Sequence, residues 1–365
     1  MWFFIGYVLI CFFRPSENVF YRSASIQDLE FEPYGVDVII LDDQLDSTVV
    51  TSLIDQNGIL YWHRKIFTPV CQTGECKEID VGIYWKCSGE FMGLEVYKEH
   101  LTRTDHSIFS EDDYKKLIRV LMDEWSILRE YEYDDLLTEP LEETEDESTV
   151  DGVTGATRQE IADETVADAV FTTYTLWHLI HVGEKEQLRS ASATLINESI
   201  DLLNRLIHAK DIQYSTLVLE LFAEGKLSYS TQIKDLIFKA AVTGENSIQR
   251  ELALKSFSKF NFEDPLIQDE VSLVYNELRA NDKIRILNYM KTPDQLTKSM
   301  YDALISELDL AEEWLAGSTF KVIKRFKPQN SKVIELAEKL SESQNTFARQ
   351  SAIDLLEDVD GNEKN

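Results

Sequence analysis

Thr157 carries a hydroxyl group at the expected start of a helix, where a modifying enzyme could attach another group. Residues 151–157 read Asp-Gly-Val-Thr-Gly-Ala-Thr, and a long helix is expected from Arg158 to about His181. Gly155 and the alanine after it leave the backbone around Thr157 open to a modifying enzyme. The free N–H groups and the positive dipole end at the start of a helix favour a phosphate. The start of the expected helix would therefore suit a phosphate group near Thr157.

A second interpretation of the same residues needs no ligand. Thr157 and Glu160 have the spacing of a capping box, in which the hydroxyl and the carboxylate satisfy N–H groups at the helix start. The glycines of the motif would then serve only the turn. A cap and an attachment site are compatible, so both interpretations stay open.

The motif resembles the flavin-attachment signature of the FMN-binding domain family. Members of this family are found in sodium-pumping quinone reductases and related electron-transfer complexes. Their signature is an Asp, two spacers, a small residue, Gly-Ala, and a final Thr or Ser. Its places are filled here by Asp151, Thr154, Gly155, Ala156 and Thr157. The resemblance covers roughly residues 65–183 and implies FMN esterified to Thr157 by a separate flavin transferase.

A flavin would also need an aromatic ledge for its ring. The candidates are Tyr84, Trp85 and Phe91, or Tyr174 and Trp177. The resemblance matches residues 89–96 with the family's second strand and 101–106 with the loop after it. In that loop Arg103 and His106 could contact the phosphate or the ring edge, although a solvated loop is the simpler interpretation.

Two cysteines lie close together in the sequence. Cys71 and Cys76 bracket Gln-Thr-Gly-Glu, and in an exported protein they could form a disulfide around a turn. Unpaired thiols are the alternative. A structural zinc site wants four ligands, and no second cysteine pair or close histidine pair supplies them.

Histidines give weaker signals. His178 and His181 are three residues apart and share a helix face, where they could move protons, hold a metal or simply border an apolar helix. We find no phosphate-binding glycine loop, nucleophile elbow or metalloprotease helix. The sequence therefore names no catalytic residue and no metal site, and leaves open whether the protein is an enzyme.

The charge of the chain restricts its partners. It has 66 acidic and 36 basic residues, a formal net charge of −30. Nucleic-acid backbones and anionic membrane surfaces attract clustered Lys and Arg, so neither is an expected partner, and membrane contact should be peripheral or absent. A cationic partner fits better.

The N-terminus is apolar from Trp2 to Phe13. Twelve residues suit the core of a signal peptide and are too few to span a bilayer. Residues 1–25 are therefore a possible signal peptide, and the protein is expected to be exported, periplasmic or membrane-associated. A mispredicted start or an apolar strand of the first domain are the alternatives.

Residues 26–183 have the pattern of an α+β domain. Strands are expected within 34–61, and a hairpin is expected from Ile79 to Tyr97 around a Cys-Ser-Gly-Glu turn. A helix should start after Ser110 and keep its apolar spacing to Trp125. The crowded carboxylates of 134–150 predict a solvated acidic loop.

Residues 184–365 show only helical patterns. The segment 247–253 parallels 346–352, and helices are expected to end 30 to 40 residues apart. This stretch resembles degenerate HEAT repeats, in which helix pairs stack and leave an extended surface. A non-repetitive helical bundle is the alternative.

Two functions follow from these patterns. The first is an FMN-dependent electron-transfer protein, in which the flavin is bound through Thr157 and the helical repeats dock a redox partner protein. The second is a non-catalytic interaction scaffold, in which the repeats bind a partner and the first domain carries no flavin.

Overall fold

The chain divides into a sheet unit, residues 1–192, and a helical unit, residues 193–365. In the described part of the chain, the sheet unit is built on six antiparallel strands and the regular elements of the helical unit are helices, which confirms the expected order of an α+β domain and an all-α domain. The computed structural model describes residues 18–41, 47–71, 76–137, 159–181, 183–244, 246–306, 308, 312–326 and 330–362.

One sheet carries all the named strands of the sheet unit, in the order β1-β6-β5-β4-β3-β2. Every neighbouring pair in this sheet is antiparallel. The strands are β1 (Val19–Arg22), β2 (Phe31–Leu41), β3 (Ser47–Asp55), β4 (Leu60–Thr68), β5 (Ile79–Lys86) and β6 (Phe91–Tyr97).

The predicted hairpin forms as β5 and β6. Its turn is closed by a hydrogen bond from the Gly89 N–H to the Lys86 carbonyl oxygen, 2.8 Å long. Gly89 has a φ of +82°, a left-handed conformation that glycine adopts without steric cost. A Cβ at this position would lie 2.2 Å from the backbone oxygen of Lys185. The turn is therefore packed against the start of the helix Glu184–Glu198.

Helices follow the sheet in the first unit. The named helices are α1 (Glu111–Met122), α2 (Gln159–Ala162), α3 (Val170–His181) and α4 (Glu184–Glu198), with 3-10 turns at Ile127–Glu130 and Tyr133–Asp135. Ser110 caps α1 as predicted and forms a capping box with Asp113. The helix ends at Met122, so the expectation that it reaches Trp125 is wrong.

The continuous helix expected from Arg158 to His181 is also wrong. Within the described part of this range, α2 ends at Ala162 and α3 starts only at Val170. Asp168 lies between them with a φ of +55°, which a right-handed helix cannot contain. The backbone carbonyl of Asp168 instead accepts hydrogen bonds from the N–H and hydroxyl of Thr104. This tertiary contact fixes the break.

Two tryptophans join the sheet to the helices. Trp62 and Trp85 are cross-strand partners on β4 and β5, and both are fully buried. The Trp62 indole N–H donates to the Ser192 hydroxyl at 2.9 Å, and that of Trp85 donates to the Ile180 carbonyl oxygen. Alternation along the strands puts their neighbours Tyr61 and Tyr84 on the opposite face.

Strand β2 forms one edge of the sheet, and a side chain from α4 covers its end. The Gln187 amide accepts from the Leu41 N–H at 2.8 Å and donates to the Leu41 carbonyl oxygen at 2.6 Å. Both backbone groups of Leu41 are therefore satisfied at the open side of the strand.

The helical unit consists of successive helices joined by short connections. Helix α6 packs on α8, α10 packs on α12, α12 packs on α14, and α9 packs on α11. The helices after α4 are α5 (Ile200–Ile207), α6 (Ile212–Ala223), α7 (Thr231–Thr243), α8 (Ser247–Ser256), α9 (Pro265–Tyr275), α10 (Ala280–Tyr289), α11 (Lys298–Ser306), α12 (Glu313–Ile323), α13 (Ser331–Leu340) and α14 (Thr346–Asn362). Short 3-10 turns at Phe257–Lys259 and Lys324–Phe326 extend α8 and α12.

The range considered for a signal peptide is only partly described. Residues 1–17 lie outside the described residues, whereas 19–22 form β1 and pair with β6. Ser23, just after β1, is fully buried and bonds to Leu94. Removal of the whole range 1–25 would therefore take away an edge strand. None of the helices in the described part of the chain has the length and apolar character to cross a membrane.

Candidate functional site

The motif at 151–157 falls outside the described residues, so Asp151, Thr154, Gly155, Ala156 and Thr157 have no described position. The chain on either side of it is described up to Leu137 and again from Gln159. The contacts of these two flanks show where the chain leaves the described part of the sheet unit before the motif and where it re-enters that part after the motif.

The flank before the motif is anchored on α3 and on the end of β4. The Tyr133 hydroxyl donates to the Val70 carbonyl oxygen at 3.2 Å, and its ring stacks on Phe171 with centroids 5.0 Å apart. Tyr174 donates its hydroxyl to the Tyr131 carbonyl oxygen at 2.9 Å. Leu136, the third residue of the predicted acidic loop, is fully buried. The loop therefore starts from a fixed point, while its remainder from 138 to 150 lies outside the described residues.

The flank after the motif is anchored near the middle of α1. The Lys116 ammonium donates to the Ala162 carbonyl oxygen at 3.3 Å. Ile161 is fully buried, and its carbonyl oxygen accepts from the Thr165 hydroxyl at 3.0 Å. Both flanks of the motif thus lie against the helices that cover the sheet.

An open groove of about 790 Å³, which we call the aromatic groove, lies where the first flank meets α3. It brings together aromatic rings, two histidines and charged groups from α3, from the segment after α1 and from the start of α4. Its lining residues are Glu124, Trp125, Arg129, Tyr131, Glu132, Tyr133, Tyr174, Trp177, His178, His181, Lys185 and Glu186.

The rings of the groove form a packed series along α3. The ring of His178 lies 3.9 Å from that of Tyr174 and 5.0 Å from that of Trp177, measured between centroids. The next contact, between Trp177 and His181, measures 4.7 Å. Tyr174 and Trp177 are both buried, so they offer little open ring surface to the groove.

The two histidines predicted to share a helix face do so and both line the groove. Nδ1 of His178 donates to the Tyr174 carbonyl oxygen at 3.1 Å, and Nε2 of His181 donates to the Leu121 carbonyl oxygen at 2.9 Å. A carbonyl can only accept, which fixes the proton on these nitrogens. Burial lowers the pKa of His181, against the opposing effect of the Leu121 hydrogen bond. Its neutral form is therefore favoured.

Trp125 is the most open ring of the groove, with 73% of its surface exposed. The Arg129 guanidinium lies 4.9 Å from its ring centroid, so one face already binds a cation. Lys185 and Glu124 form an ion pair of 2.6 Å beside it. These contacts give the groove a broad ring with mixed charges at its rim.

The ledge candidates on the hairpin are less suitable. Trp85 is fully buried under α3, and Tyr84 is buried on the opposite face of the sheet. The hydroxyl of Tyr84 donates to Glu95 at 2.7 Å, and burial followed by the negative charge of Glu95 raises the Tyr84 pKa. Phe91 is also buried, although it lines a smaller cavity next to the groove.

The loop at 101–106 lies at the other end of α3. Arg103 donates to the Asp113 carboxylate at 2.8 Å, while its buried Nε has no hydrogen-bond partner. His106 adopts a left-handed φ of +65° in a turn closed by its N–H and the Arg103 carbonyl oxygen. The loop therefore supports the capped end of α1 and is separate from the aromatic groove.

Cys71 and Cys76 are bonded to each other as a disulfide. They belong to the connection between β4 and β5, next to the Val70 carbonyl that anchors Tyr133. Within the described ranges, no three His, Cys, Asp or Glu side chains come together as a metal site.

Sequence reasoning missed the part of the groove contributed by Trp125, Tyr133 and Lys185. The signal available for Trp125 was the pair Asp123 and Glu124 before it, because carboxylates are unfavourable near the negative end of a helix dipole. Tyr133 and Lys185 are brought to α3 only by tertiary contacts, which local periodicity does not encode.

Comparison with known proteins gives no further identification. No protein-family model matches the chain, and no match was found among curated proteins or among solved structures.

Proposed function

We propose that the protein is an electron-transfer flavoprotein that carries FMN in phosphoester linkage to Thr157. The observation that carries the proposal is the spacing of Asp151, Thr154, Gly155, Ala156 and Thr157, which matches the attachment signature of the FMN-binding domain family. The flavin would supply the redox chemistry, while the chain would position it and exclude competing reactions.

The aromatic groove is the best seat for the flavin ring among the cavities of the sheet unit. An isoalloxazine ring needs a flat apolar surface with polar groups at its edge, and drug-sized ligands occupy pockets of about 300 to 1,000 Å³. The groove volume of about 790 Å³ falls in this range. Trp125 supplies an open ring, and His178 and Lys185 supply polar groups. The segment that leads to Thr157 starts at the groove wall with Tyr133.

The charge of the groove also favours the flavin ring over the flavin phosphate as its occupant. Glu124, Glu132 and Glu186 outnumber the two basic residues of the groove lining, Arg129 and Lys185, so a neutral ring is a better occupant than a phosphate dianion. The phosphate would then stay at the attachment residue. In this arrangement the chain separates the recognition of the ring from the covalent anchor.

Attachment is tested by co-expression of the protein with a flavin transferase. We expect intact mass spectrometry after denaturation to show the added mass of one FMN less one water. Thr157→Val should abolish this mass, because valine has no hydroxyl. Thr157→Ser should retain it, because the family signature accepts either hydroxyl. An unmodified wild-type chain, or a modified Thr157→Val chain, would contradict the proposal.

The ring seat is tested separately from the anchor. Trp125→Ala should leave the attached mass unchanged but alter the absorption and fluorescence of the flavin, because an open stacking partner is lost. Ile127→Ala is a matched control, since Ile127 is exposed in the same segment but does not line the groove. Identical flavin spectra in wild type and Trp125→Ala would exclude this seat.

The redox partner is proposed to be a cationic protein. The sheet unit holds 38 acidic and 15 basic residues, which gives it a formal charge of −23 out of the total of −30. Such a field raises the association rate of cationic partners and makes that rate sensitive to salt. We further propose that the protein works outside the cytoplasm, on the basis of its apolar N-terminus.

The second candidate function, a non-catalytic HEAT-like scaffold, is favoured by one observation in the helical unit. Leu266 and Leu273 are seven residues apart on α9, on one face, and are 71% and 74% exposed. The two segments with parallel sequences, 247–253 and 346–352, also pack alike at their last position, because Ala253 of α8 and Ala352 of α14 are both fully buried. Absence of flavin in the co-expression test would favour this function.

A further inference from the structure

The disulfide between Cys71 and Cys76 lies at the edge of a cavity rather than within the core. Cys71 is buried, with 8% of its surface exposed, whereas Cys76 is half-buried and lines the cavity together with Lys77, His100 and Thr172. The bond closes a loop with a sequence separation of only five. Short loops gain least from closure, and the sheet unit already has an extensive core. Stabilisation of the fold is therefore a weak reason for this bond.

A hydrogen bond prepares one of the two sulfurs to carry negative charge. The Cys76 backbone N–H donates to Sγ of Cys71, with a nitrogen–sulfur distance of 2.9 Å. A donor aimed at a sulfur favours its thiolate over its thiol. When the disulfide opens, Cys71 is therefore the better leaving group.

The start of α3 favours negative charge on the cavity side of the disulfide, where Cys76 lies. Phe171 and Thr172, in the first turn of this twelve-residue helix, line the same cavity as Cys76. The first N–H groups of a helix have no intrahelical acceptor, and its positive dipole end lowers the pKa of nearby thiols. The Thr175 and Tyr133 hydroxyls both approach the Val70 carbonyl oxygen, which holds the cysteine connection against α3.

We propose that Cys71 and Cys76 form a redox-active disulfide that exchanges with a dithiol of a partner protein. A thiolate of the partner attacks Sγ of Cys76, the more exposed sulfur, and the bond between the two cysteines breaks with Cys71 leaving as a thiolate. The second thiolate of the partner then attacks its own sulfur in the mixed disulfide and releases Cys76. Two electrons pass from the partner dithiol, which becomes a disulfide, and both released thiolates are free to take protons from water.

This activity does not depend on a flavin, because the partner dithiol supplies both electrons. It also uses only described residues of the sheet unit. In the reverse direction, the reduced pair Cys71 and Cys76 would reduce a disulfide of the partner by the same two steps.

The first experiment measures reduction of the folded chain in a Cys11→Ser background. The protein is equilibrated with glutathione redox buffers of increasing reducing strength, then with dithiothreitol, and its thiols are trapped with a maleimide. We expect two thiols to appear together in native buffer while circular dichroism shows an unchanged fold. Cys87 is an internal control, because its complete burial, which raises its pKa to about 12, should keep it unlabelled until denaturant is added. A disulfide that resists dithiothreitol until denaturant is present would overturn the proposal.

The second experiment tests the roles of the two sulfurs. In Cys76→Ser, Cys71 keeps the backbone donor, so its alkylation by iodoacetamide should titrate below the ordinary cysteine value of about 8.5. If the pKa of Cys71 falls from about 8.5 to about 7.5, its thiolate fraction at pH 7 rises about eightfold. Cys71→Ser is the matched variant and should leave a less reactive Cys76. If Cys76→Ser does not fold, the reduced Cys11→Ser chain gives the same rate measurement. A Cys71 that titrates at or above the ordinary value would exclude it as the leaving group.

Discussion

The contact between the β5–β6 turn and the start of α4 can be tested by one methyl group. Gly89 combines a φ of +82° with a position where a Cβ would lie 2.2 Å from the Lys185 backbone oxygen and 2.8 Å from its carbonyl carbon. Cβ contacts below 3.0 Å essentially do not occur in proteins, and backbone atoms yield less readily than a side-chain end. Gly89→Ala should therefore force the turn away from α4.

The expected loss can be estimated from its parts. The left-handed conformation costs a non-glycine residue about 1–2 kcal/mol, and overlap with a fixed neighbour adds about 1–3 kcal/mol. A more restricted unfolded chain offsets about 0.4–1 kcal/mol. The free energy of unfolding of the sheet unit should decrease by about 2–4 kcal/mol. Gly35→Ala is the matched control, because Gly35 has a φ of +90° but no atom within 4 Å of its Cβ position. It should lose only about 1 kcal/mol, which is the same strain without the overlap.

The assay is urea unfolding followed by tryptophan fluorescence. Five of the six tryptophans belong to the sheet unit and one to the helical unit, so the signal reports mainly on the sheet unit. The two variants should share the same unfolded baseline and differ in midpoint. Equal losses in Gly89→Ala and Gly35→Ala would refute the reasoning, because they would show that the turn can move away from Lys185 without cost.

Two further predictions concern the helices that cover the sheet. Ser192→Ala removes the acceptor of the buried Trp62 indole N–H and should lower the free energy of unfolding by about 1–3 kcal/mol in urea titrations. The same change in a Trp62→Phe background should cost less. An equal cost in both backgrounds would argue against the hydrogen bond. Burial lowers the pKa of His181 below its value of about 6.5 in the unfolded chain. As the pH falls below about 6.5, the unfolded chain therefore binds more protons than the folded chain. The free energy of unfolding should decrease from about pH 6.5 through the folded pKa, at up to about 1.4 kcal/mol per pH unit. His181→Asn should flatten this part of the profile of unfolding free energy against pH, and superimposable profiles would show that His181 does not contribute.

The sequence was most informative where the signal is local. The β5–β6 hairpin needs only two runs of strand-forming residues around a turn, and its bounds match the prediction closely. Ser110 was identified as a helix cap for the same reason, since a cap acts within three residues. The helical character of the second unit also follows from its apolar spacing.

The errors came from contacts between distant residues. The break between α2 and α3 depends on Asp168, which takes a left-handed conformation because its carbonyl serves Thr104, 64 residues earlier. Trp125 has the spacing of a core residue, but α1 ends before it and leaves its ring exposed. The aromatic groove is assembled from three separate segments, so periodicity within any one of them could identify only the part on α3. The attachment motif remains a prediction.

The amide of Gln187 affects whether copies of this protein can associate through the edge of the sheet. Its donor and acceptor hold the two backbone groups of Leu41 as a neighbouring peptide unit would. One side chain thus occupies the place of a seventh strand at the end of β2. An open strand edge is a template for association between molecules. Because a side chain of α4 fills this position, it blocks the pairing of β2 with a strand of another molecule. A neutral amide thus protects this edge in addition to the negative charge of the protein.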